Sequence, residues 1–231
     1  MSKVALVIID LQEDFLPPNG SFAVPHARQL IKPIIKLITE PSFTWSLIIA
    51  SQDWHPSDHI CFASQHNLPP FTETTFKHPC GEIDPDTHLV KTKKQMVLPD
   101  HCVEETFGSS LTVQLRLALE EKPGIPKEIV KKGSLPDRQY LSCFADVWGL
   151  HKTNMLEILY SNRITDVVFV GLAYDFCVLE SAIDSAKNGL NTYVLKNYCR
   201  SLHPEKTNAT DKKYKENGVK VIDDYSFMEL F

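Results

Sequence analysis

The stretch Val168–Val178, VFVGLAYDFCV, decides how the chain reads. Asp166 to Val170 is apolar and β-branched on both faces, as a central parallel strand covered by helices requires. Gly171 to Ala173 leaves room for a sharp turn. From Cys177 to Asn188 the apolar positions Val178, Ala182, Ile183 and Ala186 recur at helical spacing, with Asn188-Gly189 as the stop. Cys177 is thereby placed at a helix N-terminus, where the positive end of the dipole and unpaired amides favour a thiolate and an oxyanion. The same pattern also suits a small buried hydrophobe, the commoner fate of a free cysteine. Partners elsewhere in the chain decide between the two.

Outward from this stretch, polar candidates stand at the ends of apolar strands. Lys3 to Ile9 is an aliphatic run ending in Asp10, which suits either an acid or base or the cap of the next turn. Phe43 to Ala50 reads as a second strand and ends in SQDWHP. Asp53 and His55 have the i, i+2 spacing that points both side chains the same way in extended chain, so one cation can take a carboxylate oxygen and an imidazole nitrogen. Glu128 to Lys131 is a short strand running into Lys132-Gly133. The long, irregular stretch 56–98, rich in His, Pro and Thr, has the length of a loop that covers a site. It holds His59, His66, His78 and His88, any of which could serve as a ligand though most read as surface residues, and Cys61 and Cys80. It closes at LPDHCVEETFGS, where His101 offers a third ligand ahead of a short helix over Ser109 to Leu119.

Helices are predicted over Ala27–Thr39, with Pro33 marking a kink or the true start, over Thr153–Asn162 and over Pro204–Asn217; strands are predicted over Asn191–Leu195 and Gly218–Ile222. The alternation predicts one α/β domain over 1–231, a doubly wound, mostly parallel six-stranded sheet with helices on both faces. Right-handed crossovers gather the strand C-termini, and with them Asp10, Asp53, Lys132 and Cys177, at one edge. With 231 residues the chain can bury a sizeable core. A net charge of -5 without a basic cluster argues against nucleic acid and anionic membrane surfaces. Six cysteines without CxxC spacing, and no signal-peptide pattern, point to a reducing, cytoplasmic setting. No GxGxxG follows the first strand and no P-loop is present, so nucleotide binding has no support.

The motifs IIDLQEDF, SQDWHPSDH, LPDHCVEETFGS, VKKG followed by DR, and GLAYDFCVLESA resemble, in this order, the nicotinamidase and pyrazinamidase branch of the isochorismatase-like cysteine hydrolases. The resemblance implies a catalytic triad of Asp10, Lys132 and Cys177 and a metal set of Asp53, His55 and His101. It implies an oxyanion hole from the amides of Ala173 and Cys177, with a cis peptide at Leu172-Ala173. Phe15 and Phe176 match positions that flank the substrate ring, whereas Leu98 and Leu141 stand where aromatics are common. One divalent metal ion is implied: zinc is the first choice for mixed nitrogen and oxygen ligands, and iron or manganese suit the set as well. Lys132 is expected to lower the thiol pKa, and Asp10 to accept the thiol proton. The implied reaction is hydrolysis of nicotinamide to nicotinate and ammonia through a cysteine thioester, in NAD salvage. The alternative is another amidohydrolase of the same superfamily acting on a different small amide or carbamoyl compound. A small-molecule substrate is expected, and homo-oligomers are frequent in the resembled family.

Overall fold

The computed structural model describes residues 2–121 and 123–224. In chain order the elements are β1 (Val4–Ile9), α1 (Ile31–Thr39), β2 (Leu47–Asp53), β3 (Glu73–Lys77), β4 (Thr92–Met96), α2 (Val113–Glu121), β5 (Lys127–Lys132), α3 (Met155–Ser161), β6 (Asp166–Leu172), α4 (Cys177–Lys187), β7 (Asn191–Arg200), α5 (Thr207–Glu216) and β8 (Lys220–Ile222). The main sheet has the order β5-β2-β1-β6-β7-β8, and every neighbouring pair is parallel. β1, β2 and β6 are buried along their whole length, which is why their sequences are apolar without alternation. The pleat deals their side chains to two cores. Leu6 and Ile8 pack with α1 and α2 on one face, while Ala5, Val7 and Ile9 pack with α3, α4 and α5 on the other.

Pro33 lies in the first turn of α1, where its missing N–H costs nothing, so it marks a start and not a kink. Residues Ala27–Leu30 ahead of it form a 3-10 turn. The run from Phe43 is core without being strand from its first residue. Phe43 and Trp45 are buried and stacked, Trp45 Nε1–H donates to the Leu37 carbonyl at 2.8 Å, and β2 begins only at Leu47. β2 then continues past Ala50 because Ser51, Gln52 and Asp53 pair with Val130, Lys131 and Lys132 of β5. β7 likewise outruns its apolar run and reaches Arg200, with an irregularity opposite Phe169 and Gly171.

Within 56–98 the chain is less irregular than expected. β3 and β4 form an antiparallel pair whose only buried side chain in β3 is Phe76, a pattern too polar to announce a strand. Gly171 has φ +114, and a Cβ there would meet the Ile9 carbonyl oxygen at 2.2 Å, so the approach of β6 to β1 depends on glycine. No described helix is long and apolar enough to cross a membrane.

Candidate active site

Four parallel strands deliver polar residues to one edge. Asp10 follows β1, Asp53 ends β2, Lys132 ends β5 directly opposite Asp53, and Cys177 opens α4 after the turn that leaves β6. Lys132 is fully buried. Its Nζ lies 3.0 Å from Asp10 Oδ2, contacts Asp53 Oδ1, and lies 3.5 Å from Cys177 Sγ. Oxygen and sulfur atoms of Asp10, Asp53 and Cys177 lie within 4.8 Å of one another. Asp10 sits at φ 49, and Ser51 steadies it there: the hydroxyl donates to Oδ1 at 2.6 Å and accepts the Asp10 N–H at 3.2 Å. Gln12 holds the neighbouring backbone, with its amide donating to the Asp53 carbonyl and accepting the Asp53 N–H, both at 2.8 Å. Neither Ser51 nor Gln12 was legible as a site residue, since a lone hydroxyl or amide carries no spacing signal.

The charges balance in an unexpected way. Burial alone would push the Lys132 ammonium down, but Asp10 and Asp53 outweigh it and hold its pKa well above the ordinary lysine value. Burial would raise Asp53 too, yet Lys132 and His55 keep it well below the carboxylate range. For Asp10, burial together with the Asp53 charge exceeds the pull of Lys132, and its pKa is raised. Burial also pushes the Cys177 thiol well above its ordinary value, and the carboxylates of Asp10 and Asp53 add to this. The expected depression by Lys132 is present but outweighed, so the resting sulfur is a thiol. An acid with an elevated pKa beside a base with an elevated pKa is a workable pair for proton transfer.

The turn before Cys177 contains a cis peptide at Leu172-Ala173. The Ala173 carbonyl accepts the N–H groups of Phe176 and Val178, at 3.0 and 3.1 Å. Among the described residues the backbone N–H groups of Ala173 and Cys177 have no hydrogen-bond partner.

Beside Lys132, ligand atoms of Asp53, His55 and His101 lie within 4.8 Å of one another, all buried. His55 Nε2 and His101 Nε2 converge on Asp53 Oδ2 at 3.7 and 3.9 Å. Their other nitrogens face carbonyl groups: Nδ1–H of His55 donates to Gly133 at 3.0 Å, and Nδ1–H of His101 to Pro99 at 2.7 Å. A carbonyl only accepts, so both Nε2 lone pairs are left for a cation. Burial takes the His101 pKa down to about 4, keeping that ring neutral. Two imidazoles and a carboxylate aimed at one point fit a divalent metal ion. Gly133, at φ +85, completes the cradle, since a Cβ there would come within 2.2 Å of the His55 ring.

A cleft runs from this set to Cys177, and Phe15, Leu98, Leu141 and Phe176 all line it, as do Ala173 and Cys61. Two rings on its wall escaped the sequence reading. Phe22 packs on Phe15 and His101, with centroids 5.7 and 5.0 Å apart, and Tyr140 stands beside Leu141 with its OH 2.8 Å from His151 Nδ1. The wall that Leu141 leaves without a ring thus has one from the adjacent position. Of the loop histidines, His88 is exposed as expected and His66 is half-buried. His78 is buried beside Trp148, and His59 is buried against His55. Periodicity gives no warning of such burial in a segment without a regular face.

The isochorismatase domain model matches residues 4–224. The nicotinamidase of Saccharomyces cerevisiae is 36% identical over 221 residues, which are 94% of this chain and 98% of that protein. Among solved structures, the yeast nicotinamidase bound to the inhibitor nicotinaldehyde superposes with a TM-score of 0.86 at 35% identity, covering 96% of this chain and 100% of that one. The pyrazinamidase of Pyrococcus horikoshii in complex with zinc superposes with a TM-score of 0.70 at 25% identity, covering 96% and 99%. With a family model spanning almost the whole described chain and a relative this similar along its full length, the chain belongs to the isochorismatase family, on its nicotinamidase branch.

Proposed function

We propose that the protein is a cytoplasmic amidohydrolase that converts nicotinamide to nicotinate and ammonia through a thioester on Cys177, in NAD salvage. The observation that carries this reading is the 3.5 Å approach of Lys132 Nζ to Cys177 Sγ, with the Asp10 carboxylate alongside, at the end of an apolar cleft. Asp10 takes the thiol proton as the sulfur attacks the carboxamide carbon. The free N–H groups of Ala173 and Cys177 receive the oxyanion, and losing one such donor typically costs about 3 kcal/mol of barrier. Asp10 returns the proton to the departing ammonia, then draws one from the water that hydrolyses the thioester and passes it to the sulfur as that leaves, restoring the carboxylate and the thiol. Lys132 stays charged throughout and keeps the Asp10 anion tolerable in a dry site.

Asp53, His55 and His101 would hold the divalent ion, zinc first, and the ion would supply a Lewis-acidic point for a ring nitrogen. Phe15 and Phe176 flank the ring, Tyr140 supplies the aromatic face that Leu141 lacks, and Leu98 leaves its own side roomier than an aromatic would, which favours activity on related aromatic amides as well. Ammonia release from a panel of nicotinamide, pyrazinamide and bulkier amides tests the reading. Turnover is expected with nicotinamide, and Cys177→Ala should reduce it by at least about 10³-fold; a fully active alanine variant refutes the mechanism. Stripping divalent cations should abolish turnover and adding one back should restore it, whereas a metal-free protein of undiminished activity would remove the ion from the scheme.

A further inference from the structure

His59 and Cys61 take no part in the reaction above, yet they stand against it. Both side chains are buried, Cys61 lines the cleft, and the His59 ring lies over His55 with centroids 4.2 Å apart. His59 Nδ1 is 2.9 Å from Cys61 Sγ and accepts the Cys61 N–H at 3.3 Å. Because Nδ1 accepts the Cys61 N–H, the neutral ring carries its proton on Nε2, and Nδ1, facing Cys61 Sγ, is the nitrogen that offers a lone pair to an ion. One ligand atom from each of His55, His59 and Cys61 lies within 4.8 Å of the others. Two imidazoles and a sulfur make a softer donor set than Asp53, His55 and His101, because a thiolate replaces the carboxylate.

We propose that His55, His59 and Cys61 form a second cation site, for a thiophilic divalent ion such as zinc or cadmium, that shares His55 with the Asp53, His55 and His101 set. Binding forms a sulfur–metal bond while the Cys61 thiol releases its proton to solvent; nothing is oxidised or reduced. His55 Nδ1 is committed to the Gly133 carbonyl, so only Nε2 is free, and one lone pair serves one ion. The two positions therefore compete for His55. An ion in the second position also sits on the wall of the cleft, so an ion more thiophilic than the resident one, such as cadmium added to zinc-loaded protein, acts as an inhibitor and a hard cation such as magnesium does not.

The test titrates cadmium into metal-stripped Cys80→Ser/Cys177→Ala protein, which lacks the exposed thiol and the candidate nucleophile. A thiolate-to-cadmium ultraviolet band is expected, saturating at one equivalent, and adding Cys61→Ser should remove it while cadmium still binds through Asp53, His55 and His101. A band that survives Cys61→Ser, or no band at saturating cadmium, overturns the proposal. X-ray absorption on the cadmium-loaded Cys80→Ser/Cys177→Ala protein keeps the test open should Cys61→Ser fold poorly: one sulfur in the shell supports the site, and a shell of nitrogen and oxygen alone overturns it. In otherwise wild-type protein loaded with one equivalent of zinc, Cys61→Ser should need at least tenfold more cadmium for half-inhibition, each protein compared with its own uninhibited rate. Only this last arm rests on the amidase reading, so a failure of that reading would leave the binding result standing.

Discussion

Lys132 owes its charge to its neighbours. In isolation a lysine this deeply buried would shed its proton, but it lies between two carboxylates and a sulfur, and each of those groups is in turn left unbalanced without it. Lys132→Met therefore leaves Asp10 and Asp53 buried and unpaired, with an expected cost of about 3–5 kcal/mol measurable as a lowered urea midpoint. A midpoint equal to the wild type would mean that the ammonium carries no structural weight. At this scale the candidates Asp10, Asp53 and Cys177 were legible because each follows an apolar run or its turn, whereas Lys132 closes the mostly charged β5 and stood out only by its place at a strand end and by the family resemblance. Their protonation was not legible. Reading Lys132 as the influence on Cys177 omits the two carboxylates and the loss of water that together push the thiol up. The burial of His59 and Cys61 was not legible for a similar reason: they occupy a stretch with no periodic face, and their burial depends on His55 and the cleft.

At the level of elements, register does the positioning. Pairing β2 with β5 sets Asp53 opposite Lys132, and pairing β1 with β6 sets Ile9 opposite Gly171, so that the chain leaves both central strands at the same height. The turn after β5 is as important as the strand. Gly133 lets its carbonyl receive His55 Nδ1–H while leaving space for the ring, and Gly133→Ala would drive a methyl into that ring from a backbone with φ +85. The expected outcome is a loss of cation affinity of about 10–100-fold, the range seen when the outer support of a metal-binding histidine is removed, read by equilibrium dialysis against zinc; unchanged affinity would mean His55 does not need this support. The apolar runs that marked β1, β2 and β6 located strand centres well and strand ends poorly. Phe43 and Trp45 are as apolar as Leu47, but they fill the core beside α1, and the polar end of β2 is strand only because β5 lies next to it.

Across the whole molecule, the two cores hold thiols that titrate only with difficulty. Burial pushes Cys143 and Cys199 up to about 12 and Cys102 well above its ordinary range. In the unfolded chain these thiols lose their protons above about pH 8.5, while the folded state keeps them, so stability is level below that pH and falls as pH rises through the interval between the two values. The expected slope approaches about 1.4 kcal/mol per pH unit for each thiol, measurable as urea midpoints from about pH 7 to 10 under reducing conditions. Cys199→Ala should lower the slope by one thiol's share, and a level wild-type profile would contradict the burial account. The amino-acid order by itself determined the alternation of strand and helix, the parallel sheet, and which residue types stand at strand ends, because apolar runs and turn residues are properties of a short window. The order of the strands, the pairing of Asp53 with Lys132 across 79 residues, and the approach of Lys132 to Cys177 across 45 were decided only by the tertiary structure. So were the charge states and the burial of His59 and Cys61, since they depend on contacts between distant segments and on the exclusion of water, and no local window contains either.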